Sequence, residues 1–272
     1  MKPRIIGGAI GLSLMAVVLL LPPIALTFAV LVISATAVAE LVTKTDTPAN
    51  KWITLTSVIY SAVIPLTSLF NNFLPGLIAV FSYLLVLVCL QIRYHQTQQI
   101  EQTGFVFFMS TFLPFSFSCL IYLRKFNEYG LFYVLLAIIV TWMSDMGAYF
   151  IGTFFGKRKL CPTISPKKTV EGLVGGIIVS VISAVLTGVL YQNLAVKESA
   201  GIIIWQVALL ALVSAPLPVF GDLFASLIKR QHHVKDFGNI IPGHGGMMDR
   251  FDSLLLTAPF FYIVVHYFPL VA

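Results

Sequence analysis

The chain consists largely of apolar segments that are each long enough to cross a lipid bilayer. A membrane-spanning helix needs about 20 apolar residues. Suitable segments cover residues 5–21, 24–42, 52–69, 75–92, 104–122, 130–154, 171–191, 203–228 and 251–268. Only 10% of the residues are charged, whereas a typical soluble domain has about 25%. The pattern predicts an all-α, polytopic integral membrane protein: one membrane domain over 1–272 with about nine transmembrane helices.

The basic residues predict the orientation. If the segments cross the membrane in turn, every Lys and Arg except Arg124, Lys125 and Lys197 falls on the side of the N-terminus. Basic residues collect on the cytoplasmic side of membrane proteins, so we expect an N-in, C-out topology. The net charge of +6 then faces anionic lipids or an anionic substrate, and no soluble basic face remains for nucleic acid.

Two polar stretches on the predicted cytoplasmic side differ from the other connections. They cover residues 156–172 and 229–252. Six of the 11 acidic residues lie in or beside them, namely Asp145, Glu171, Asp222, Asp236, Asp249 and Asp252. The acidic residues therefore predict where the functional centre lies.

Two of these carboxylates, Asp145 and Asp222, fall inside apolar segments. A carboxylate at the centre of a membrane helix costs about 3 kcal/mol and marks a functional site by default. In the predicted topology both lie toward the cytoplasmic end of their helices, and Asp249 and Asp252 begin the last helix one turn apart. We expect all four to face one cavity at the inner membrane surface.

The helix that carries Asp222 shows two further features. Asp222, Ser226, Lys229 and Arg230 are spaced so that they share one helical face. Pro216, Pro218 and Gly221 precede this face and predict a broken helix, which a membrane protein tolerates where the backbone lines a cavity.

These residue types point to phosphate chemistry. Clustered carboxylates favour Mg²⁺, and Lys and Arg beside them favour phosphate oxygens. The glycines of 243–246 allow the backbone to approach a ligand closely. The N-termini of the predicted helices over 171–191 and 251–268 favour anions. Together they predict phosphoryl or nucleotidyl transfer, with a lipid as one substrate because the site lies at the membrane surface.

The stretch from Ser226 to Asp252 resembles the signature of the phosphatidate cytidylyltransferase (CDP-diglyceride synthetase) family. It reads Ser226-Leu-Ile-Lys-Arg, then Lys235-Asp236-Phe-Gly, then Ile241-Pro-Gly-His-Gly-Gly-Met-Met-Asp249-Arg-Phe-Asp252. Asp145–Phe150, Ser165–Gly172 and Gly221-Asp222 are similar to further stretches of the family. The likeness covers 140–260, the expected catalytic region. Residues 1–130 match in hydropathy alone and are expected to form a scaffold with dimer contacts.

The resemblance implies that CTP and phosphatidic acid react to CDP-diacylglycerol and pyrophosphate for phospholipid biosynthesis. It implies Mg²⁺ as cofactor, with Mn²⁺ as a substitute, and a site this acidic is compatible with a second, monovalent cation such as K⁺. The expected location is the cell (inner) membrane with the site on the cytoplasmic side, and a homodimer is plausible by family likeness.

The resemblance also implies roles for individual residues. The expected metal ligands are Asp222 and Asp249, with Asp145 or Asp252 beside them. The expected catalytic residues are Asp222, Asp249, Lys229, Arg230, Lys235, Asp236, His244 and Arg250. The expected substrate-binding residues are Ser165, Lys167, Lys168, Thr169, Glu171, Ser226, Gly245 and Gly246.

Structural roles are open alternatives for several of these residues. Asp222 and Asp249 could pair with Arg230 or Arg250. Glu171 could cap the helix after it, Arg250 and Asp252 could form a salt bridge, and His244 could stabilise a turn.

Other functions also remain open. A polyprenol kinase would transfer the γ-phosphate, and a CDP-archaeol-type synthase would use an ether lipid. An ion-coupled transporter would also use intramembrane carboxylates and a broken helix, although no inverted repeat is evident.

Overall fold

The computed structural model describes residues 2–45, 50–70, 72–195, 200–238 and 245–271. The helices are α1 (Lys2–Leu20), α2 (Pro23–Lys44), α3 (Lys51–Thr67), α4 (Leu74–Arg93), α5 (Ile100–Lys125), α6 (Gly130–Phe155), α7 (Val170–Ala195), α8 (Ile204–Ser214), α9 (Leu217–Gln231), α10 (Met248–Phe251) and α11 (Leu254–Tyr267). The strands are β1 (Lys159–Cys161) and β2 (Ser165–Thr169). Each predicted apolar segment coincides with a helix or a pair of helices, which confirms the all-α class.

Within the described ranges, six helical segments are long and apolar enough to cross a membrane. They are α2, α4, α5, α6, α7 and the stretch formed by α8 and α9. α3, α11 and the apolar part of α1 are shorter. The chain is therefore a helical membrane protein, whereas nine spans and the N-in, C-out orientation stay predictions.

The predicted break in segment 203–228 is present. α8 ends at Ser214 and α9 begins at Leu217. Pro216 and Pro218 have no backbone N–H to donate to the preceding turn, so a continuous helix is interrupted there. The last segment is divided as well, because Asp252 and Ser253 form a turn between α10 and α11.

A short β-hairpin lies where the sequence predicts a polar loop after α6. β1 and β2 are antiparallel, with Lys159 opposite Thr169 and Cys161 opposite Ser165. Pro162 stands in the turn and disfavours a helix there. The sequence gives no clear alternation over these few residues, which is why the hairpin was not predicted.

The chain forms two compact units. The first contains Met1–Ile121 and Lys229–Phe251, and the second contains Tyr122–Ile228 and Asp252–Ala272. Most of the signature stretch thus belongs with the amino-terminal helices. Asp249 lies in the first unit, whereas Asp145, Asp222 and Asp252 lie in the second. The division into a scaffold (1–130) and a catalytic region (140–260) stays a prediction.

In the first unit, buried hydroxyl groups join three helices. The Tyr83 hydroxyl on α4 lies 2.7 Å from Ser57 Oγ on α3 and 2.7 Å from Ser110 Oγ on α5. The Tyr83 ring stacks on Tyr60, with ring centroids 4.0 Å apart. Because the membrane interior supplies no water, such groups need partners within the protein. The network fixes α3, α4 and α5 together, and α2 packs against α3.

In the second unit, glycines bring α6 and α7 close together. A Cβ on Gly176 would lie 2.7 Å from the Ser144 carbonyl oxygen, and one on Gly147 would lie 3.0 Å from that of Gly175. Small residues at such positions allow membrane helices to approach closely. Ser144 Oγ also donates to the Ala215 carbonyl at 2.7 Å. This packing sets the position of Asp145 on α6 and of the hairpin, because β2 leads directly into α7.

Candidate active site

In the first unit, Asp249 lies at the start of α10 and accepts three hydrogen bonds. Its Oδ1 accepts from Lys229 Nζ at 2.8 Å. Its Oδ2 accepts from the backbone N–H of Phe237 at 2.9 Å and of Gly246 at 3.1 Å. The side chain of Asp249 is 5% exposed and that of Lys229 is 15% exposed. Since little water reaches this pair, its charges interact strongly and its geometry is well defined.

The local backbone explains how Asp249 reaches these donors. Gly245 has φ +87°, a left-handed conformation that glycine adopts without strain. A Cβ on Gly245 would lie 3.3 Å from Asp249 Oδ2. The ring of Phe237 is buried, and its centroid lies 5.4 Å from Lys229 Nζ. The turn at Gly245 and the contact of Lys229 with Phe237 thus hold both partners of the ion pair.

Glu40 on α2 belongs to the same unit, although it lies in neither of the two polar stretches that the sequence singles out. It is 6% exposed, and its Oε2 accepts from the backbone N–H of Met248 at 3.2 Å. Its carboxylate interacts electrostatically with Asp249. The signal was present, because Glu40 is a carboxylate inside an apolar segment, the criterion that singled out Asp145 and Asp222. The signature motif does not include it, because that motif covers only 226–252.

In the second unit, Asp222 on α9 pairs with Lys168 on β2. Lys168 Nζ lies 2.7 Å from Asp222 Oδ2 and donates to the Val219 carbonyl at 3.1 Å. Ser226, one turn further along α9, donates to Asp222 Oδ1 at 3.3 Å. The side chains of Lys168 and Asp222 are 20% and 33% exposed, so both are partly accessible at the surface of this unit.

Asp145 completes this group from α6. It is half-buried, hydrogen-bonds with Ser253 and interacts electrostatically with Lys168 and Asp222. The neighbouring Asp252 is buried, and its Oδ1 accepts from the backbone N–H of Ser253 at 2.8 Å. Gly221 packs against the Asp252 carbonyl and leaves no room for a Cβ. The turn after α10 is thus packed against the start of α9.

Thr169 at the end of the hairpin and Glu171 just after it stabilise the start of α7 and the chain that follows α6. Thr169 Oγ1 accepts from the backbone N–H of Gly172 at 3.1 Å and caps α7. The Glu171 carboxylate accepts from the backbone N–H of Lys157 at 3.0 Å and of Arg158 at 3.1 Å. These contacts of Glu171 are structural, but they differ from the helix-capping role considered for it, because Glu171 holds the chain after α6 and Thr169 caps α7.

The other predicted site residues differ in how exposed they are. Lys167, Arg230, Lys235, Asp236 and Arg250 are exposed, Ser165 and Gly245 are half-buried, and Gly246 is buried. Gly243 and His244 lie outside the described residues. The lysine partners of Asp222 and Asp249, Lys168 and Lys229, differ from the arginines considered as alternatives.

A metal site requires several His, Cys, Asp or Glu side chains close together. No group of three or more His, Cys, Asp or Glu side chains in the described part of the chain is arranged to hold a metal ion. Mg²⁺ is usually held by one or two carboxylates together with substrate phosphates. Asp145 and Asp222 interact electrostatically and are the two carboxylates of the second unit that could supply such ligands. The assignment of four carboxylates to one metal site stays a prediction.

Comparison with known proteins identifies the family. The sequence model described as "Cytidylyltransferase family" matches residues 2–268. Phosphatidate cytidylyltransferase of Bacillus subtilis (strain 168) is 40% identical over 191 residues, which are 70% of this chain and 68% of that protein. The Aquifex aeolicus protein of the same name is 44% identical over 58% of this chain and 57% of its own length. That of Haemophilus influenzae is 41% identical over 57% of this chain and 54% of its own length. The chain therefore belongs to the cytidylyltransferase family.

Proposed function

We propose that this protein transfers a cytidylyl group from CTP to phosphatidic acid and so forms CDP-diacylglycerol and pyrophosphate. The observation that carries the proposal is the family match over residues 2–268, with relatives named phosphatidate cytidylyltransferase. The signature residues support it, because they form the hydrogen-bonded group around Lys229 and Asp249. The membrane helices support a lipid substrate, and the bacterial relatives support a place in the inner membrane.

The reaction makes limited demands on the protein. A phosphatidate oxygen attacks the α-phosphorus of CTP and forms a new P–O bond. The bond from that phosphorus to the bridging oxygen breaks, and pyrophosphate leaves with the electron pair. A phosphate nucleophile is already largely ionised at neutral pH, so it needs little help from a base. Positioning and charge neutralisation are then the main contributions of the protein.

The cations of both units fit phosphate binding. Arg230, Lys235 and Arg250 are exposed and can reach phosphate oxygens. Lys168 and Lys229 are each oriented by an aspartate. The backbone at Gly245 and Gly246 allows close approach of a ligand. Lys167, Ser165 and Ser226 complete the proposed substrate contacts, whereas Thr169 and Glu171 act by holding the hairpin.

The residues of the second unit fit Mg²⁺ better than Asp249 does. Asp222 is partly exposed and near Asp145, whereas both oxygens of Asp249 already accept hydrogen bonds from the protein. Asp222 and Asp145 would hold Mg²⁺, or Mn²⁺ in its place, with Asp252 and Asp249 as further candidates. The ion would neutralise negative charge on the CTP phosphates. A second, monovalent cation such as K⁺, a homodimer and a cytoplasmic active site are further parts of the proposal.

The test is an assay of the pure protein with labelled CTP, phosphatidic acid and Mg²⁺ in detergent. We expect a labelled CDP-lipid and release of pyrophosphate. Release of CDP with a phosphorylated lipid would instead identify a kinase, and a strong preference for ether lipid would identify an archaeol-type enzyme. Absence of any lipid product would favour a transporter.

Two variants test the proposed residues in the same assay. Asp222→Asn and Asp249→Asn should each abolish formation of the CDP-lipid while the protein still folds, because each leaves its lysine without a charged partner. Glu101→Gln, on the exposed first turn of α5, is the matched control and should keep normal activity. Near-normal activity of either aspartate variant would refute its assigned role.

A further inference from the structure

Glu40 is a buried carboxyl group that the proposed mechanism leaves unused. It lies on α2, a helix with the length and composition of a membrane span, and is 6% exposed. Its Oε1 has no hydrogen-bond partner among the described residues. Burying an incompletely satisfied carboxyl group is unfavourable, and a leucine would fill the same space without this cost. Packing alone therefore does not explain a glutamate at this position.

The carboxyl group of Glu40 contacts the signature stretch. Oε2 accepts from the backbone N–H of Met248 at 3.2 Å. Gly238 and Gly246 pack directly against the carboxyl group. A Cβ on Gly246 would lie 2.5 Å from Glu40 Oε2, and a Cβ on Gly238 would collide with Oε1. Two glycines thus form the space that the carboxyl group occupies.

The same backbone orients Asp249. Gly246, which packs against Glu40, donates its N–H to Asp249 Oδ2 at 3.1 Å. Met248, which donates to Glu40, immediately precedes Asp249 in α10. Phe237, which precedes Gly238, donates to the same Oδ2 at 2.9 Å. Both of these backbone N–H groups, of Gly246 and of Phe237, are therefore part of, or next to, the surface that Glu40 contacts.

We propose that Glu40 is a positioning residue, whose carboxyl group holds the backbone of Gly246–Met248 to α2 and thereby fixes the Asp249–Lys229 pair. Glu40 acts through Asp249 and does not itself touch the substrate. The kinetic part of this inference rests on the proposed function, whereas its structural part does not.

The kinetic test compares Glu40→Ala and Glu40→Gln with the control Ser34→Ala. Ser34 lies on the same helix, is fully buried and has an Oγ with no hydrogen-bond partner in the described part of the chain. Because a small misplacement of reacting groups can cost about 100-fold in rate, we expect kcat per folded enzyme to fall about 10- to 100-fold in Glu40→Ala. We expect KM for CTP to change less than about twofold. Glu40→Gln keeps an acceptor for Met248 and should lose less, and Ser34→Ala should keep the normal kcat.

A second measurement does not depend on enzymatic activity. Hydrogen–deuterium exchange of the peptide that covers 245–251 should be faster in Glu40→Ala than in the unaltered protein or in Ser34→Ala. If the unaltered protein forms no CDP-lipid, the proposed function fails, but this exchange result still decides whether Glu40 holds the segment. Unchanged exchange together with normal kcat would overturn the inference and leave the proposed function intact.

A double-mutant cycle separates positioning from a general effect on folding. Gly238→Ala should displace the Glu40 carboxyl group and lower kcat by itself. In the Glu40→Ala background the same substitution should have almost no further effect, because the colliding group is gone. The inference would be overturned if the two substitutions lowered kcat independently, so that their factors multiplied in the double variant. It would also be overturned if Ser34→Ala lowered kcat as much as Glu40→Ala does. Should Glu40→Ala fail to fold, Glu40→Ser gives the same test, because serine also lacks the group that a Cβ on Gly238 would meet.

Discussion

Lys168 shows how a single residue acquires a role from its neighbours. Lys167 and Lys168 are adjacent in sequence and equally basic, but Lys168 is held by Asp222 and the Val219 carbonyl, whereas Lys167 is exposed. A lysine with two fixed acceptors has a defined position, and a free surface lysine is a mobile point charge. The two residues therefore differ in what they can contribute to a phosphate site.

Removing the Lys168 ammonium group tests this difference. We expect Lys168→Met to lower kcat/KM for CTP about 100-fold, the loss that follows removal of one preorganised charge-stabilising group. Lys159→Met is the matched control, because Lys159 belongs to the same hairpin and is exposed. A comparable loss in both variants would show that the net charge of the hairpin matters more than the pairing with Asp222.

At the scale of elements, the hairpin depends on contacts with the helices at its two ends. Glu171 on α7 binds the backbone N–H groups of Lys157 and Arg158, which follow α6. Thr169 caps α7. The hairpin is therefore fixed by side-chain-to-backbone hydrogen bonds at its base, in addition to the strand pairing.

Removing the Glu171 carboxyl group should loosen the end of the hairpin that adjoins α6 and α7. We expect Glu171→Ala to speed tryptic cleavage after Lys157, Arg158 and Lys159 several-fold, because local opening exposes the chain. Activity should fall as well, since Lys168 lies on the same hairpin. Glu101→Ala removes a carboxyl group at the start of another helix and should leave the cleavage rate unchanged. Equal rates in the two variants would contradict the assigned contact.

Two glycine substitutions should have opposite effects on stability. Gly176→Ala would bring a Cβ to 2.7 Å from the Ser144 carbonyl oxygen, so α6 and α7 must separate, at a cost of about 1–3 kcal/mol. Gly104 on α5 has no atom within 4 Å of such a Cβ, so Gly104→Ala should raise helix stability by up to about 1 kcal/mol. Thermal unfolding at one scan rate in one detergent measures both. An unchanged midpoint for Gly176→Ala would refute the close packing.

At the scale of the whole molecule, the three natural cysteines can test the predicted orientation. Cys161 lies in the hairpin and is half-buried, and Cys119 is buried. Cys89 is exposed on α4, but α4 has the length and composition of a membrane span, so a bilayer would cover this thiol and keep a water-soluble reagent away from it. A membrane-impermeant maleimide should therefore react mainly with Cys161. We expect labelling in inside-out vesicles and little in right-side-out vesicles, with Cys161→Ser as the control. The reverse pattern would place the hairpin on the outer side and contradict the predicted topology.

The sequence by itself determined the class of the protein and the stretches that carry its chemistry. Long apolar segments require a membrane as solvent, and helices satisfy their backbone within each segment, so the helices follow from local composition. The broken helix before Asp222 follows from two prolines. Charged residues are rare in such a chain, so those that remain inside helices mark the site.

Only the tertiary structure decided which groups meet. The sequence indicates that Asp222 and Asp249 need partners, but it cannot choose among several nearby lysines and arginines, because the choice depends on chain geometry. The hairpin forms because α6 and α7 fix its ends. Glu40 lies 208 residues from Met248, and no local pattern links them. Their contact arises because burial of α2 beside the signature stretch leaves the Met248 N–H and the Glu40 carboxyl group to satisfy each other away from water.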